Sequence, residues 1–422
     1  MVPKGWSESY LGEVVTYKKG YAFNSSLYAE EGIRIVRISD TTRDSIHSDN
    51  PVFIAGGNVE GLEQYSLFEN DIILSTVGSR PHLLDSMVGK AVKVPRSAHN
   101  SLLNQNLVKL IPKKTKITNE YLFSMLKTKE FIQFISNLVR GNANQVSITL
   151  ADLFKYKFIL PSLPEQKKIA QILSTWDKAI SVTEKLLANS QQQKKALMQQ
   201  LLTGKKRLLD ENGTRFSETW KLYALSKLFQ RVTTKNNGKS NNVVTISGQH
   251  GLIKQEDFFK KTVASDTLDG YFLLKKGQFA YNKSYSNGYP MGAIKRLNRY
   301  PEGVVTTLYI CFELTTPKKS CGDYWEHYFE SGLLNNSLSQ IAHEGGRAHG
   351  LLNVKPSDFF SLKVAVPGFE EQQKIASVLS AADTEISTLE KKLACLKDEK
   401  KALMQQLLTG KRRVKVDEAV AV

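Results

Sequence analysis

Cysteine is scarce: Cys311, Cys321 and Cys395 stand alone among 422 residues, with no C-x-x-C pair. Their spacing offers neither a disulfide framework nor a structural zinc site. No apolar run reaches the eighteen or so residues that span a bilayer, and the N-terminus has no signal-peptide core. The chain therefore reads as cytoplasmic, with no membrane span. A G-x-x-x-x-G-K-[ST] loop is missing, which argues against a P-loop ATPase, and so are a strand-borne glycine fingerprint and the Asn-Pro-Pro-aromatic motif of amino-methyltransferases. Carboxylates do not cluster as a nuclease metal site requires. His343 and His349 are six positions apart across Gly345-Gly346, a spacing and a helix break that speak against a metal pair. These absences describe a non-catalytic reader, with no metal and no cofactor bound by this chain.

What is abundant is positive charge. Fifty-eight Lys and Arg against 41 Asp and Glu give a formal charge of +17. A surplus of that size points to a polyanion, either nucleic acid or an anionic membrane surface. Hydrophobic residues at 41% and charged ones at 23% are otherwise ordinary for a globular chain, long enough here for two to four domains.

One stretch occurs twice. Residues 161–207 carry Pro161, Glu165-Gln166, Lys168-Ile169-Ala170, Leu173-Ser174, Asp177, Ile180 and Glu184-Lys185, and run to Leu201-Leu202-Thr203-Gly204-Lys205. From Pro367 the series returns as Glu371-Gln372, Lys374-Ile375-Ala376, Leu379-Ser380, Asp383, Ile386 and Glu390-Lys391, ending Leu407-Leu408-Thr409-Gly410-Lys411. Apolar residues fall at alternating three and four steps: Ile169, Leu173, Trp176, Ile180, Leu187, Leu197 and Leu201, with Thr183, Ser190 and Lys194 on the same seam. The second seam is Ile375, Leu379, Ala382, Ile386, Leu389, Leu393, Leu396, Lys400, Leu403 and Leu407. That is the a/d register of a coiled coil. Proline before each helix and Thr-Gly after it supply start and stop signals. Roughly 40 residues at 1.5 Å each make a helix on the order of 60 Å long. Each copy is the natural partner of the other, while a homodimer zipper satisfies the same seam.

A larger and less similar segment precedes each helix. In residues 1–160, short alternating runs predict strands at Ile33 to Ile38, Asp71 to Thr76, Val88 to Val94 and Leu107 to Ile111. One helix is predicted from about Asn119 to Leu138, then the loop Arg140 to Gln145 and a last strand near Phe158 to Leu160. Residues 208–366 repeat the order: Trp220-x4-Leu225 answers Trp6-x4-Leu11, Lys276 to Lys283 answers Glu69 to Thr76, and Thr306 to Phe312 answers Asn104 to Leu110. A helix near Tyr324 to Leu338 and the loop Glu344 to Gly350 follow, and Asp358 stands where Asp152 stood. The shared positions are scaffold and the loops differ, as two related domains reading two ligands would.

The loops supply candidate DNA-binding residues. Ser75, Thr76, Ser79 and Arg80; Asn104, Gln105 and Asn106; Arg140, Asn142 and Asn144; Asn282, Lys283, Tyr285 and Asn287; and Arg347 with His349 bring hydroxyls, amides and cations to equivalent places in the two halves. Asn and Gln pair with adenine, Arg and Lys with guanine, and Ser, Thr, Lys and Tyr also hold phosphates. Any one such loop is more often a plain surface turn. Their recurrence in a basic chain favours the reader. The cations Lys167, Lys168, Lys178, Lys194, Lys195 and Lys205, set against Glu165, Asp177 and Glu184, suit either a solvated helix face or partner docking.

With Trp-x4-Leu opening each segment, and Pro-x3-Glu-Gln-x-Lys-Ile-Ala and Leu-Leu-Thr-Gly-Lys bounding each helix, nearly the whole chain resembles the specificity subunit of type I restriction-modification systems. The Glu-Gln-x-x-Ile-Ala starts and the run Gly277-Gln278-Phe279-Ala280-Tyr281-Asn282-Lys283 are the most specific parts. The resemblance implies an α+β chain: two α/β target-recognition domains in a pseudo-two-fold repeat, residues 1–160 and 208–366, separated by two long antiparallel coiled-coil helices, 161–207 and 367–414, with a tail at 415–422. It further implies that each domain reads half of a bipartite, asymmetric duplex site, and that the helices set the spacing and dock two methyltransferase subunits. For the helices the pairing and docking residues are Ile169, Leu173, Trp176, Ile180, Leu187, Leu197, Leu201, Ile375, Leu379, Ile386, Leu389, Leu393, Leu403 and Leu407. S-adenosylmethionine, ATP and Mg are implied on partner subunits, translocase and endonuclease among them. Half-sites one DNA turn apart are about 34–36 Å from each other, within reach of such helices. Two alternatives stay open: a recognition subunit of another restriction type, and a coiled-coil nucleic-acid-binding adaptor.

Overall fold

The computed structural model describes residues 2–43, 45–83, 86–139, 145–259, 267–342 and 352–416. They form two compact units, Met1–Thr183 with Lys392–Val422, and Glu184–Lys391. The division falls inside both long helices, Leu163–Leu201 and Phe369–Leu407. Each unit thus holds the first part of one helix and the last part of the other.

The first unit is built on an antiparallel four-stranded sheet ordered Val15–Lys19, Leu107–Pro112, Ile72–Ser75, Ala91–Lys93. A five-stranded sheet lies beside it in sequence, Tyr28–Ala29, Val52–Ile54, Ile33–Val36, Ser101–Leu103, Ser66–Leu67, with its parallel pairing between Ile33–Val36 and Ser101–Leu103. The strand Ser7–Tyr10 pairs with Lys157–Leu160 just before the long helix. Trp6, Leu11, Ile72, Leu74, Tyr121 and Phe131 share one core with Ile169, Leu173 and Leu407 of the helices. The domain and its helix segments therefore lose apolar surface to water together, which fixes one to the other.

The second unit repeats the four-stranded sheet as Phe229–Arg231, Ile310–Leu314, Phe279–Asn282, Ala293–Arg296, and the pairing of Lys221–Ala224 with Lys363–Val366. Where the first unit has five strands, the second has the hairpin Val244–Ser247 with Gly251–Lys254 and the pair Phe272–Lys275 with Glu302–Val305. Its core joins Phe229, Phe279, Phe312, Trp325 and Phe359 to Leu201, Ile375 and Leu379.

Both long helices end the same way. Gly204 and Gly410 each take φ +70°, in the left-handed region that glycine enters without strain. The amide of Lys206 then returns to the Gln200 carbonyl, and that of Arg412 to the Gln406 carbonyl, each at 3.0 Å.

Each helix expected as continuous after the sheet is in fact two. Asn119–Met125 and Lys129–Leu138 are separated at Thr128, whose hydroxyl accepts the Phe131 amide at 3.2 Å and starts a new helix. Gly322–Glu330 and Asn335–Ile341 are separated at Gly332, with φ +74°. The apolar spacing survives both breaks, which is why periodicity alone joined them. Among the described residues no helix is long and apolar enough to cross a membrane.

Candidate functional site

Two kinds of site emerge, the loop ends of the four-stranded sheets and the junction of each domain with the helices. At the first sheet's loop end, Thr76 and Asn106 are tied together, the Thr76 amide and hydroxyl both donating to the Asn106 carbonyl at 3.0 and 3.2 Å. Gln105 between these strands is exposed, while Thr76, Asn106, Ser79 and Arg80 are half-buried. The Ser79 and Ser86 hydroxyls meet at 2.5 Å. Ser75 and Asn104 are corrections to the sequence reading, since both are buried. The Ser75 hydroxyl donates to the Met87 carbonyl at 3.0 Å and accepts the Lys90 amide at 3.1 Å. The backbone of Asn104 bonds to Val36 and Leu107. Ser75 is the last residue of the strand Ile72–Ser75, and Asn104 directly follows the strand Ser101–Leu103 and bridges to Tyr21, so both are held by the sheets and not on the loop surface.

In the second unit Asn282 and Lys283 are half-buried, and Tyr285 and Asn287 are exposed on the loop after the strand. The Asn282 carbonyl oxygen of the side chain accepts the Ser284 amide at 3.1 Å, fixing the start of that loop. Arg140, Asn142, Asn144, Arg347 and His349 lie outside the described residues.

The second site is a node that occurs in each unit. Buried Glu165 accepts the Trp6 indole N–H at 3.0 Å, and the Arg413 guanidinium at 2.9 and 2.6 Å. Glu371 likewise accepts Trp220 at 3.1 Å and Arg207 at 2.6 and 2.8 Å. Each arginine also lies over its tryptophan ring, at 5.4 Å for Arg413 and 5.8 Å for Arg207. The adjoining glutamine holds the sheet's exit: the Gln166 side-chain amide donates to the Lys116 and Pro161 carbonyls and accepts the Thr118 amide, each at 2.9 Å. Gln372 donates to the Pro367 carbonyl at 3.0 Å and accepts the Cys321 amide at 2.9 Å. A buried carboxylate with an N–H, a bidentate guanidinium and a ring around it is satisfied on every side.

The seam residues are buried or half-buried: Ile169, Leu173, Trp176, Ile180, Leu187, Leu197, Leu201, Ile375, Leu379, Ile386, Leu389, Leu393, Leu403 and Leu407. Antiparallel pairing within each unit is marked by Asp177 with Lys400 in one and Asp383 with Lys194 in the other. Lys194 is therefore not a spare cation, as its charge pattern had indicated, because Asp383 holds it. Lys167, Lys168, Lys178, Lys195 and Lys205 are exposed.

A polar cavity of about 480 Å³ in the second unit is lined by charges that pair with one another, Lys295 with Glu330 and Arg296 with Asp323. His327 beside it contacts the Ser380 hydroxyl at 3.0 Å, and burial lowers its pKa more than nearby Asp383 raises it. Cys311 is pushed up to about 12 by burial, which leaves its thiol unreactive. Among the described residues no group of three or more His, Cys, Asp or Glu could hold a metal ion.

Paired sheets with dissimilar loop ends, each locked to a helix pair by the same node, define a duplicated recognition protein. Residues 3–189 match the family described as type I restriction modification DNA specificity domain. The chain is 25% identical over 98% of its length to the type I restriction enzyme MjaX specificity subunit of Methanocaldococcus jannaschii, covering 95% of that protein. The MjaVIII specificity subunit of the same organism is 28% identical over 50% of this chain and 48% of its own. A crystal structure of the type I restriction-modification S subunit from M. genitalium shares the fold, with a TM-score of 0.57 at 15% identity over 96% of each chain. Along nearly its whole length the chain is thus similar to specificity subunits of type I restriction-modification systems.

Proposed function

We propose that residues 1–160 and 208–366 are target-recognition domains, each reading one half of a bipartite, asymmetric duplex site. The segments 161–207 and 367–414 set the spacing between half-sites and dock two methyltransferase subunits. The chain itself is the non-catalytic, DNA-binding member of that complex. S-adenosylmethionine would be bound by the methyltransferase subunits, and ATP and Mg by translocase and endonuclease subunits, in the cytoplasm. One observation carries the reading: the two units share a four-stranded sheet, while the side chains at its loop end differ, Thr76 and Gln105 in one against Lys283 and Tyr285 in the other. A conserved frame with different tips suits two different half-sites, because base edges are read by side chains and the frame only sets their register.

The test is to co-express the chain with the methyltransferase encoded beside it and to map modified adenines by single-molecule sequencing. A split motif with two defined parts and a fixed spacer is expected. A contiguous or palindromic motif, or unmodified DNA from a complex that binds S-adenosylmethionine, would count against the reading.

A further inference from the structure

The loop that joins the strand Phe279–Asn282 to the strand Ala293–Arg296 carries the exposed Tyr285 and Asn287. Its tip is a tight turn. The Tyr289 amide donates to the Ser286 carbonyl at 2.8 Å, and the Ser286 amide to the Tyr289 carbonyl at 3.3 Å, with Asn287 and Gly288 between them. Gly288 takes φ +83°, the left-handed conformation that the third position of such a turn requires. Tyr289 therefore closes the tip with its backbone.

Its side chain makes a second set of bonds. The half-buried Tyr289 hydroxyl lies 2.5 Å from a Glu330 carboxylate oxygen and 2.8 Å from the Gly248 carbonyl, and it accepts the Lys295 amine at 2.9 Å. Lys295 also pairs with Glu330 at 2.5 Å and sits 4.7 Å from the centre of the Tyr289 ring. Against that ring lies Gly248, in the turn between the strands Val244–Ser247 and Gly251–Lys254, where an added Cβ would come within 2.7 Å of it. Glu330 is the last residue of the helix Gly322–Glu330, whose His327 meets Ser380 of the long helix at 3.0 Å. One hydroxyl thus ties the tip to a neighbouring hairpin and, through that helix, to the long-helix segment of the same unit. Burial and the Glu330 carboxylate both push the Tyr289 pKa up, so the phenol keeps the proton it donates. Bonds to charged groups held partly out of water are the strong ones.

We propose that Tyr289 is a positioning residue for the second half-site: it holds the tip residues Tyr285 and Asn287 at a fixed place relative to the long helix, so that they meet base edges. This rests on the DNA-recognition reading above. Side chains discriminate bases only when held within about 0.5 Å of the productive geometry. A two-stranded tip is marginally stable by itself in water, so the tether has to supply that precision.

The test uses the full chain in its methyltransferase complex and a randomised duplex library. Affinities are then measured for a duplex recovered from the library and for copies with one half-site scrambled. Tyr289→Phe, which keeps the ring, is expected to bind the recovered duplex roughly tenfold more weakly and the copy scrambled in the second half-site as tightly as the wild type does. Scrambling the first half-site should cost variant and wild type alike. Because each result is a ratio between duplexes, any loss of folded protein cancels. Glu330→Ala should reproduce the effect, the double variant should add little to either single one, and Glu330→Gln, which keeps an acceptor, should recover most of the loss. Wild-type discrimination in Tyr289→Phe overturns the proposal. So does a loss shared by both half-sites, which marks a general structural role, and so do additive losses in the double variant, which mark two separate effects. If the wild type enriches no bipartite sequence, the DNA-recognition reading fails and the positioning role with it, whereas a wild-type bipartite motif with an unaffected Tyr289→Phe leaves that reading standing and removes only the role of Tyr289.

Discussion

At the scale of single residues, the node around Glu165 shows why this chain places a charge in its interior. A buried carboxylate costs several kcal/mol unless its lone pairs are met, and Trp6 and Arg413 meet them. Replacing Glu165 with alanine leaves the Arg413 guanidinium and the Trp6 N–H without their acceptor, and should cost about 3 kcal/mol. Differential scanning calorimetry should show the first unit melting at lower temperature, and an unshifted transition would refute the role. The Glu-Gln pair was visible in the sequence because it repeats at Glu371-Gln372. Its arginine was not, since Glu165 and Arg413 are separated by 248 positions and no periodicity links them. A weaker signal existed in the repeated basic runs after Thr-Gly, Lys205-Lys206-Arg207 and Lys411-Arg412-Arg413.

At the scale of elements, the seams were the most legible feature, because a 3-4 apolar repeat over 39 residues leaves little else for a helix to be. Less legible was how evenly the seam packs. In the second unit Ser190, Leu197, Val378, Ala381 and Ala382 border a cavity of about 240 Å³ between the helices. Counting along the duplicated stretch, Trp176 stands where Ala382 does, and Leu396 where Ser190 does. Small residues at facing positions leave a gap that the larger pair would fill, and unfilled volume forfeits dispersion contacts. Ala382→Leu should fill part of it and stabilise the second unit by about 1 kcal/mol, seen as a rise of a few degrees in melting temperature. A fall would mean that the gap is too narrow for the added methyl groups. The breaks at Thr128 and Gly332 were hidden for a related reason: packing against a common core keeps the helical apolar spacing even where the helix itself stops and restarts.

At the scale of the whole molecule, the duplication visible in the sequence predicts modular behaviour. Each unit closes its own node, core and helix segments, and within each the domain is bound to the helices through the same Trp, Glu, Gln and Arg positions. The loop ends remained illegible beyond their polarity, because burial at Ser75 and Asn104 depends on strand lengths that loop composition does not encode. A domain held by a repeated frame can be exchanged without touching the other domain's contacts. Replacing residues 208–366 by the equivalent segment of a relative, with Arg207 and Glu371 retained, should change one part of the methylated motif and leave the other part and the spacer alone. Trp220 must be kept in the incoming segment, since its N–H and ring complete the node. Adenine mapping on the exchanged chain decides the matter. If both parts of the motif change together, recognition is distributed across the two units, and the frame common to their sheets is not what separates one half-site from the other.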